Sequence, residues 1–152
     1  MDTALSFARA AELLTPKSEE VVHLVGSILM ETKRKTEAVK VLLRATKLNP
    51  RCSYAWYDLG VTLTRVKQNK KARPYFQKAL RLDPTYGWTY YCLACLDALE
   101  KKPNDAFRNL DQAVKHGFYK MAHLRRDTDL SSLRRDPRWK TLLSKLSNPP
   151  IR

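Results

Sequence analysis

Glycine, cysteine and long apolar runs are all scarce in this sequence, and each shortage excludes a class of protein. Four glycines among 152 residues argue against an all-β chain, which needs glycine at many tight turns. No apolar run reaches the roughly 18 residues that span a bilayer, and residues 1–14 lack the basic and apolar regions of a secretory signal. Three cysteines, an odd number, do not form a disulfide framework, so we expect a reducing compartment, the cytoplasm.

Positive charge, in contrast, is abundant. The chain carries 29 Lys and Arg against 15 Asp and Glu, a formal net charge of +14. Its length and its 43% hydrophobic content are typical of one soluble globular domain with a sizeable core. A surface of this charge attracts polyanions or acidic partners, although net charge does not indicate a fold.

A period of 34 residues organises the chain. Pro16, Pro50 and Pro84 are separated by this step. The same step relates two sets of small residues: Ala4, Ala38, Ala72 and Ala106, and Ala11, Ala45, Ala79 and Ala113. Small side chains are needed where two helices cross closely, and proline ends one helix before the next begins. The period therefore predicts repeated helix pairs.

These repeats resemble the tetratricopeptide (TPR) family. Residues 53–86 carry its signature at Trp56, Leu59, Gly60, Leu63, Ala72, Phe76, Ala79 and Pro84. Residues 19–52 match at Val22, Val25, Gly26, Leu29, Ala38, Leu42, Ala45 and Pro50. A third repeat, 87–120, matches at Tyr90, Leu93, Ala94, Ala106, Leu110 and Ala113, but departs at Asp97 and Phe118. The resemblance implies an all-α solenoid, a right-handed superhelix of antiparallel helix pairs whose concave groove is lined by the first helix of each pair.

The two ends of the chain are less regular. Residues 1–18 match only the second half of a repeat, which we interpret as a capping helix or, preferably, as the remainder of a longer array. Residues 121–146 resemble the closing segment of bacterial TPR arrays, and Asp136 before Pro137 predicts the start of a final capping helix. We expect a single TPR domain over 1–146 and a disordered tail over 147–152.

The resemblance also assigns side chains to the groove. These are His23, Ser27 and Met30 in the first repeat, Tyr54, Tyr57, Val61 and Thr64 in the second, and Trp88, Tyr91 and Cys95 in the third. Large, rigid aromatic side chains are frequent binding hot spots. The sequence therefore predicts a groove that holds a partner's peptide or helix. The alternative is that the chain's own C-terminal helix, or a further repeat, covers the aromatic rings.

One familiar TPR ligand does not fit. Family members that clamp the acidic tails of Hsp70 and Hsp90 use Lys, Asn and Arg at five places. This chain has at those places His23, Ser27, Asp58, Trp88 and Cys92. None of these residues matches, so the resemblance argues against a chaperone-tail clamp.

Catalytic and metal-binding motifs are not apparent in the sequence. Cys92 and Cys95 have redox-like spacing but fall in the middle of a predicted helix, without a second ligand pair. There is no Gly-rich phosphate loop, nucleophile elbow or HExxH motif. We therefore expect a non-enzymatic protein without a cofactor or metal.

Basic residues cluster in the turns between the helices of each pair. They are Lys33, Arg34 and Lys35, then Lys67, Lys70, Lys71 and Arg73, and finally Lys101 and Lys102. Stacking in register would align them into one basic edge, so binding of nucleic acid or of an acidic partner is the alternative function. A solvated rim explains the same charges, and no nucleic-acid-reading motif accompanies them. Exposed repeat ends also leave open a homo-oligomer.

Overall fold

The computed structural model describes residues 2–32 and 34–147, and within these ranges the ordered elements are all helical. The helices are α1 (Asp2–Leu14), α2 (Glu19–Met30), α3 (Lys35–Leu48), α4 (Ser53–Arg65), α5 (Asn69–Leu82), α6 (Gly87–Leu99), α7 (Pro103–Lys115), α8 (Met121–Arg126), a 3₁₀ helix (Thr128–Leu133) and α9 (Pro137–Ser147). Antiparallel pairs form from α2 with α3, α4 with α5 and α6 with α7. The predicted all-α fold class is confirmed.

Local signals explain where several helices begin and end. Ser18 caps α2, because its side chain accepts a hydrogen bond from the Val21 N–H at 3.4 Å. Pro103 begins α7, where its missing N–H costs nothing. Lys67 and Lys101, one period apart, both adopt left-handed backbone (φ 63° and 58°) as the chain turns from the first to the second helix of a pair.

The chain divides into two compact units, and unit 1 spans residues 1–84. Its pairs approach closely at two glycines. A Cβ added to Gly26 would lie 2.6 Å from Leu42, and one added to Gly60 would lie 2.6 Å from the Phe76 ring. The repeated glycine therefore makes room for a large side chain of the second helix. Helix α1 packs on α2, and its buried Glu12 forms an ion pair with Arg44 of α3.

Unit 2 spans residues 85–152 and contains α6 to α9. Helix α9 begins as predicted, with Asp136 accepting a hydrogen bond from the Arg138 N–H at 2.9 Å, and its buried Trp139 and Leu142 belong to the core that α7 also supplies. Asp97, at a position where the family is apolar, is 2% exposed and accepts a hydrogen bond from Asn109 Nδ2 at 2.7 Å. An amide on the paired helix thus accounts for this buried carboxylate.

The predicted boundaries extend slightly beyond what the structure describes. Ser147, predicted to open a disordered tail, is the last residue of α9, and the rest of that tail, 148–152, lies outside the described residues. The single domain over 1–146 stays a prediction. Among the described residues, no helix is long and apolar enough to span a membrane.

Candidate functional site

Seven of the predicted groove residues lie on the first helices of unit 1. We call this set the α2/α4 face: His23, Ser27 and Met30 on α2, and Tyr54, Tyr57, Val61 and Thr64 on α4. Tyr54 is 51% exposed, and the other six are half-buried. Their spacing of three and four residues places the members on α4 along one side of that helix.

A polar bridge joins the two helices of this face. His23 Nε2 lies 2.8 Å from Asp58 Oδ2, and the Ser27 hydroxyl donates a hydrogen bond to the same oxygen at 3.1 Å. The hydrogen bond to Asp58 raises the pKa of His23, burial opposes this rise, and the charges of Asp58 and Glu19 add to it. The bridge therefore holds a carboxylate on the face and favours the protonated imidazole.

The role of Asp58 was not apparent in the sequence, where it counted only as a mismatch to the chaperone clamp. The sequence does contain a signal for this pair: Asp58 follows His23 by 35 residues, one more than the repeat period. Residues so spaced fall on neighbouring first helices, at nearly the same height. A histidine and an aspartate in this relation can reach each other.

The aromatic side chains of α4 are divided between two sides of the helix. Tyr57 contacts Phe76 of the paired helix, with ring centroids 6.0 Å apart. Trp56 instead stacks on Tyr75 at 5.9 Å and donates its indole N–H to the Pro50 carbonyl at 3.0 Å. Trp56 is thus fixed within its own repeat, and Tyr54 and Tyr57 supply the aromatic surface of the α2/α4 face.

The structure differs from the expected open groove at the third repeat. Tyr91 is 3% exposed and Cys95 is 8% exposed, while Trp88 is half-buried. Tyr91 donates its hydroxyl to the Asp127 carboxylate, and the Cys95 thiol lies 3.7 Å from Asp127 Oδ2. Burial, together with the nearby charges, raises the pKa of both Tyr91 and Cys95, so both stay protonated.

The residues that bury this part of α6 follow α7 directly. Phe118 stacks on the Tyr91 ring with centroids 4.4 Å apart and meets the Trp88 ring edge-on at 4.9 Å. The 3₁₀ helix packs on α6 and buries Leu130 and Leu133. Tyr91 and Cys95 are therefore covered by C-terminal residues of the same chain, which was the alternative to an open groove. The covering residues are 118–133 and not the final helix. Gly117, with φ 86°, turns the chain at the start of this segment.

The other chemical candidates do not form a centre. Cys92 and Cys95 lie within α6, as predicted, and no group of three His, Cys, Asp or Glu side chains in the described ranges could hold a metal ion. A cavity of about 100 Å³ between α7 and α9 is lined by Arg138 and Lys145. Both cations are engaged, Arg138 with Asp136 at 2.6 Å and Lys145 with Asp111 at 2.6 Å.

The predicted basic edge is divided between the two units. Lys67, Lys70 and Lys71 are exposed in unit 1, where Arg73 and Lys35 are half-buried. Arg34 pairs with Glu37 at 2.6 Å in unit 1, and Lys102 pairs with Glu100 at 2.6 Å in unit 2, beside the exposed Lys101. Lys33 lies outside the described residues. The exposed cationic surface is therefore clearest at Lys67, Lys70 and Lys71, in the turn before α5 and at its start.

Comparisons with known proteins agree on the repeats. The tetratricopeptide repeat family profile matches residues 19–52 and 53–86. A UDP-N-acetylglucosamine–peptide N-acetylglucosaminyltransferase of Giardia intestinalis is 26% identical over 110 residues, which are 68% of this chain and 7% of that protein. Protein FlbA of Caulobacter vibrioides is 28% identical over 90 residues, 59% of this chain and 15% of that protein. The chain thus spans less than a sixth of either relative.

Solved structures show the same fold. A crystal structure of MamA superposes with a TM-score of 0.77 at 16% identity, covering 95% of this chain and 83% of that one. A MamA RS-1 double mutant superposes with a TM-score of 0.75 at 20% identity, covering 96% and 84%. At these identities, the likeness concerns the arrangement of the helices alone.

Proposed function

Because the chain is a tetratricopeptide repeat protein, we propose that it is a non-enzymatic scaffold that binds a peptide or helix of a partner protein on the α2/α4 face. TPR domains are generally protein-interaction scaffolds, and repeat proteins use the extended surfaces of their stacked helices for binding. The proposal places the protein in the cytoplasm, in keeping with its odd number of cysteines.

The exposure of aromatic side chains on the α2/α4 face carries this proposal. Tyr54 is 51% exposed and Tyr57 is half-buried, on the side of α4 that Trp56 and Ala55 do not occupy. Tyrosine offers a large apolar ring and a hydroxyl at low entropic cost, which suits a surface that must bind apolar side chains and polar groups together. Met30 and Val61 add apolar area beside these rings.

The non-enzymatic part of the proposal draws on the chemistry of the face. The hydroxyl of Ser27 and the imidazole of His23 both contact the same oxygen of Asp58, so the histidine is not placed between serine and aspartate as a nucleophile's base would be. The glycosyltransferase relative shares only the repeats, since the match covers 7% of that protein. Its catalytic activity is therefore not carried over to this chain.

Retention of a partner protein tests the function. A Tyr54→Ala/Tyr57→Ala variant should fail to retain, from cell extract at moderate salt, a protein that the wild type retains. Leu24→Ala is the matched control, because Leu24 is equally exposed at 51% on α2 but does not belong to the face. Equal retention by all three proteins would contradict binding at the α2/α4 face.

The alternative function is electrostatic binding of nucleic acid or an acidic partner. One observation favours it: residues 65–81 contain seven Lys and Arg and no acidic residue. Such binding should fall steeply as salt rises and should be lost in a Lys70→Glu/Lys71→Glu variant. Binding on the α2/α4 face should instead tolerate both changes.

A further inference from the structure

One segment of this chain packs on the first helix of a TPR pair, α6, in the way that a peptide ligand could. Residues 118–133, which we call the covering segment, bury the side of α6 that bears Tyr91 and Cys95. Asp127 accepts the hydrogen bond of Tyr91 through its carboxylate, and its other oxygen accepts from the Asp129 N–H at 2.9 Å. Leu124 and Leu130 on either side of it are both 0% exposed. The covering segment thus offers Tyr91 of α6 an aspartate that lies between two buried leucines in the sequence.

The spacing within the covering segment explains how these side chains reach one surface. Leu124, Asp127, Leu130 and Leu133 recur at every third residue. Three residues make one turn of a 3₁₀ helix, so Leu130 and Leu133 lie on the same side of Thr128–Leu133, whereas Asp127 caps this helix and Leu124 precedes it on α8. The pattern L-x-x-D-x-x-L-x-x-L therefore describes a peptide that presents one carboxylate among apolar side chains.

The α2/α4 face repeats the surface that this segment contacts. One period of 34 residues relates Trp88 to Tyr54, Tyr91 to Tyr57, Cys95 to Val61 and Ala98 to Thr64. The ring contacts differ, since Tyr91 stacks on Phe118 of the covering segment, whereas Tyr57 contacts Phe76 of its own paired helix. The two surfaces differ in coverage: Tyr91 is 3% exposed, whereas Tyr57 is half-buried and Tyr54 is 51% exposed.

From this internal example we propose the class of partner that the α2/α4 face binds: a short helical segment with the pattern L-x-x-D-x-x-L-x-x-L, whose aspartate lies against Tyr57 as Asp127 lies against Tyr91. This inference rests on the proposed function and specifies its ligand. The leucines pack beside Val61 and Thr64, because Leu130 and Leu133 share a buried core with Cys95 and Ala98, which lie one period after Val61 and Thr64.

The charge around the face suits such a ligand. Residues 1–84 contain 16 Lys and Arg against eight Asp and Glu, so their field attracts a carboxylate. Asp58 is an acidic side chain on this face, where it joins α4 to His23 and Ser27 of α2. Its Oδ2 is already engaged by His23 at 2.8 Å and by Ser27 at 3.1 Å. The bridge thus limits its repulsion of an incoming aspartate.

A synthetic peptide of residues 121–136, MAHLRRDTDLSSLRRD, is the probe. Titrated into the ¹⁵N-labelled 152-residue chain, it should shift amide signals of α4 in a saturable manner. Tyr57→Phe should weaken binding about tenfold, as for loss of one hydrogen bond to a charged group. Tyr75→Phe is the matched control, because Tyr75 stacks on Trp56 and does not belong to the face. The same peptide with the Asp127→Asn substitution should also bind about tenfold more weakly.

Two results would overturn the inference. One is no shift at millimolar peptide, and the other is a set of shifts confined to α6, which would show exchange with the covering segment instead of binding to α4. The retention experiment separates these results from failure of the proposed function. If a partner protein still depends on Tyr54 and Tyr57 while the peptide does not bind, the face binds a ligand of another class.

Discussion

Truncation of Phe118 to alanine tests how the covering segment is held on α6. Phe118 is 2% exposed, and its ring meets Tyr91 face to face and Trp88 edge-on. Its N–H donates to the Ala113 carbonyl at 2.9 Å, and alanine keeps this backbone bond. The substitution therefore removes side-chain packing while leaving the local hydrogen bonding unchanged.

The expected loss of stability follows from the size and surroundings of the ring. A buried Phe→Ala change typically lowers the free energy of unfolding by about 3–5 kcal/mol. The two aromatic contacts at 4.4 and 4.9 Å place Phe118 toward the upper part of that range. For a chain of this size, such a loss lowers Tm by about 6–20 °C. Trp88 should also become more exposed, because the ring beside it is removed.

Urea denaturation followed by circular dichroism and tryptophan fluorescence measures both effects. Phe7→Ala is the matched control: the same chemical change at a side chain that is 77% exposed on α1. Its free energy of unfolding should stay within about 0.5 kcal/mol of the wild type. Agreement between the two probes is required before a single free energy is derived, since repeat proteins can unfold in parts.

Either of two outcomes would refute this reasoning. A loss below about 1 kcal/mol for Phe118→Ala would mean that the covering segment contributes little to the core of unit 2. Equal losses for Phe118→Ala and Phe7→Ala would mean that the ring of Phe7 is buried in solution, for example against another copy of the chain.

Three further substitutions test unit 1. Gly60→Ala places a Cβ 2.6 Å from the rigid Phe76 ring, so denaturation should show a net loss after about 1 kcal/mol of helix propensity is regained. Gly26→Ala, which faces a flexible leucine, should lose less, and equal losses would contradict this. The hydrogen bond to Asp58 raises the pKa of His23 above 6.5. The pair therefore contributes its full stabilisation of the folded state below about pH 6, and this contribution declines as pH rises through the folded-state pKa. Wild-type stability should therefore fall relative to His23→Gln as pH rises above about 6.5, and parallel pH curves would exclude this effect.

The parts of the fold that could be predicted depend on signals that repeat or act locally. The 34-residue step predicts small residues where paired helices cross closely, and in the structure Gly26 and Gly60 lie against Leu42 and Phe76 of the paired helices. Asp136 before Pro137 predicts the start of α9, because capping involves only neighbouring residues. Neither inference needs knowledge of how distant parts of the chain meet.

The covering segment could not be predicted in the same way. The hydrogen bond between Tyr91 and Asp127 joins residues 36 apart, outside the repeat pattern, through a segment without strong helical periodicity. One oxygen of Asp127 caps the 3₁₀ helix by accepting from the Asp129 N–H, a local role that is common for aspartate. The other oxygen contacts Tyr91 and Cys95, a function that depends on tertiary packing and has no local signature.

The internal example also limits how tightly a separate peptide can bind. The covering segment is tethered to α6 through α7, so its effective local concentration is on the order of millimolar. Contacts that are sufficient within one chain therefore give only weak binding when the same peptide is separate, which is why amide shifts are the suitable measurement. A physiological partner must add contacts that the segment does not make on α6. The exposed ring of Tyr54 and the bridge of His23 with Asp58 are the places on the α2/α4 face where unit 1 offers them.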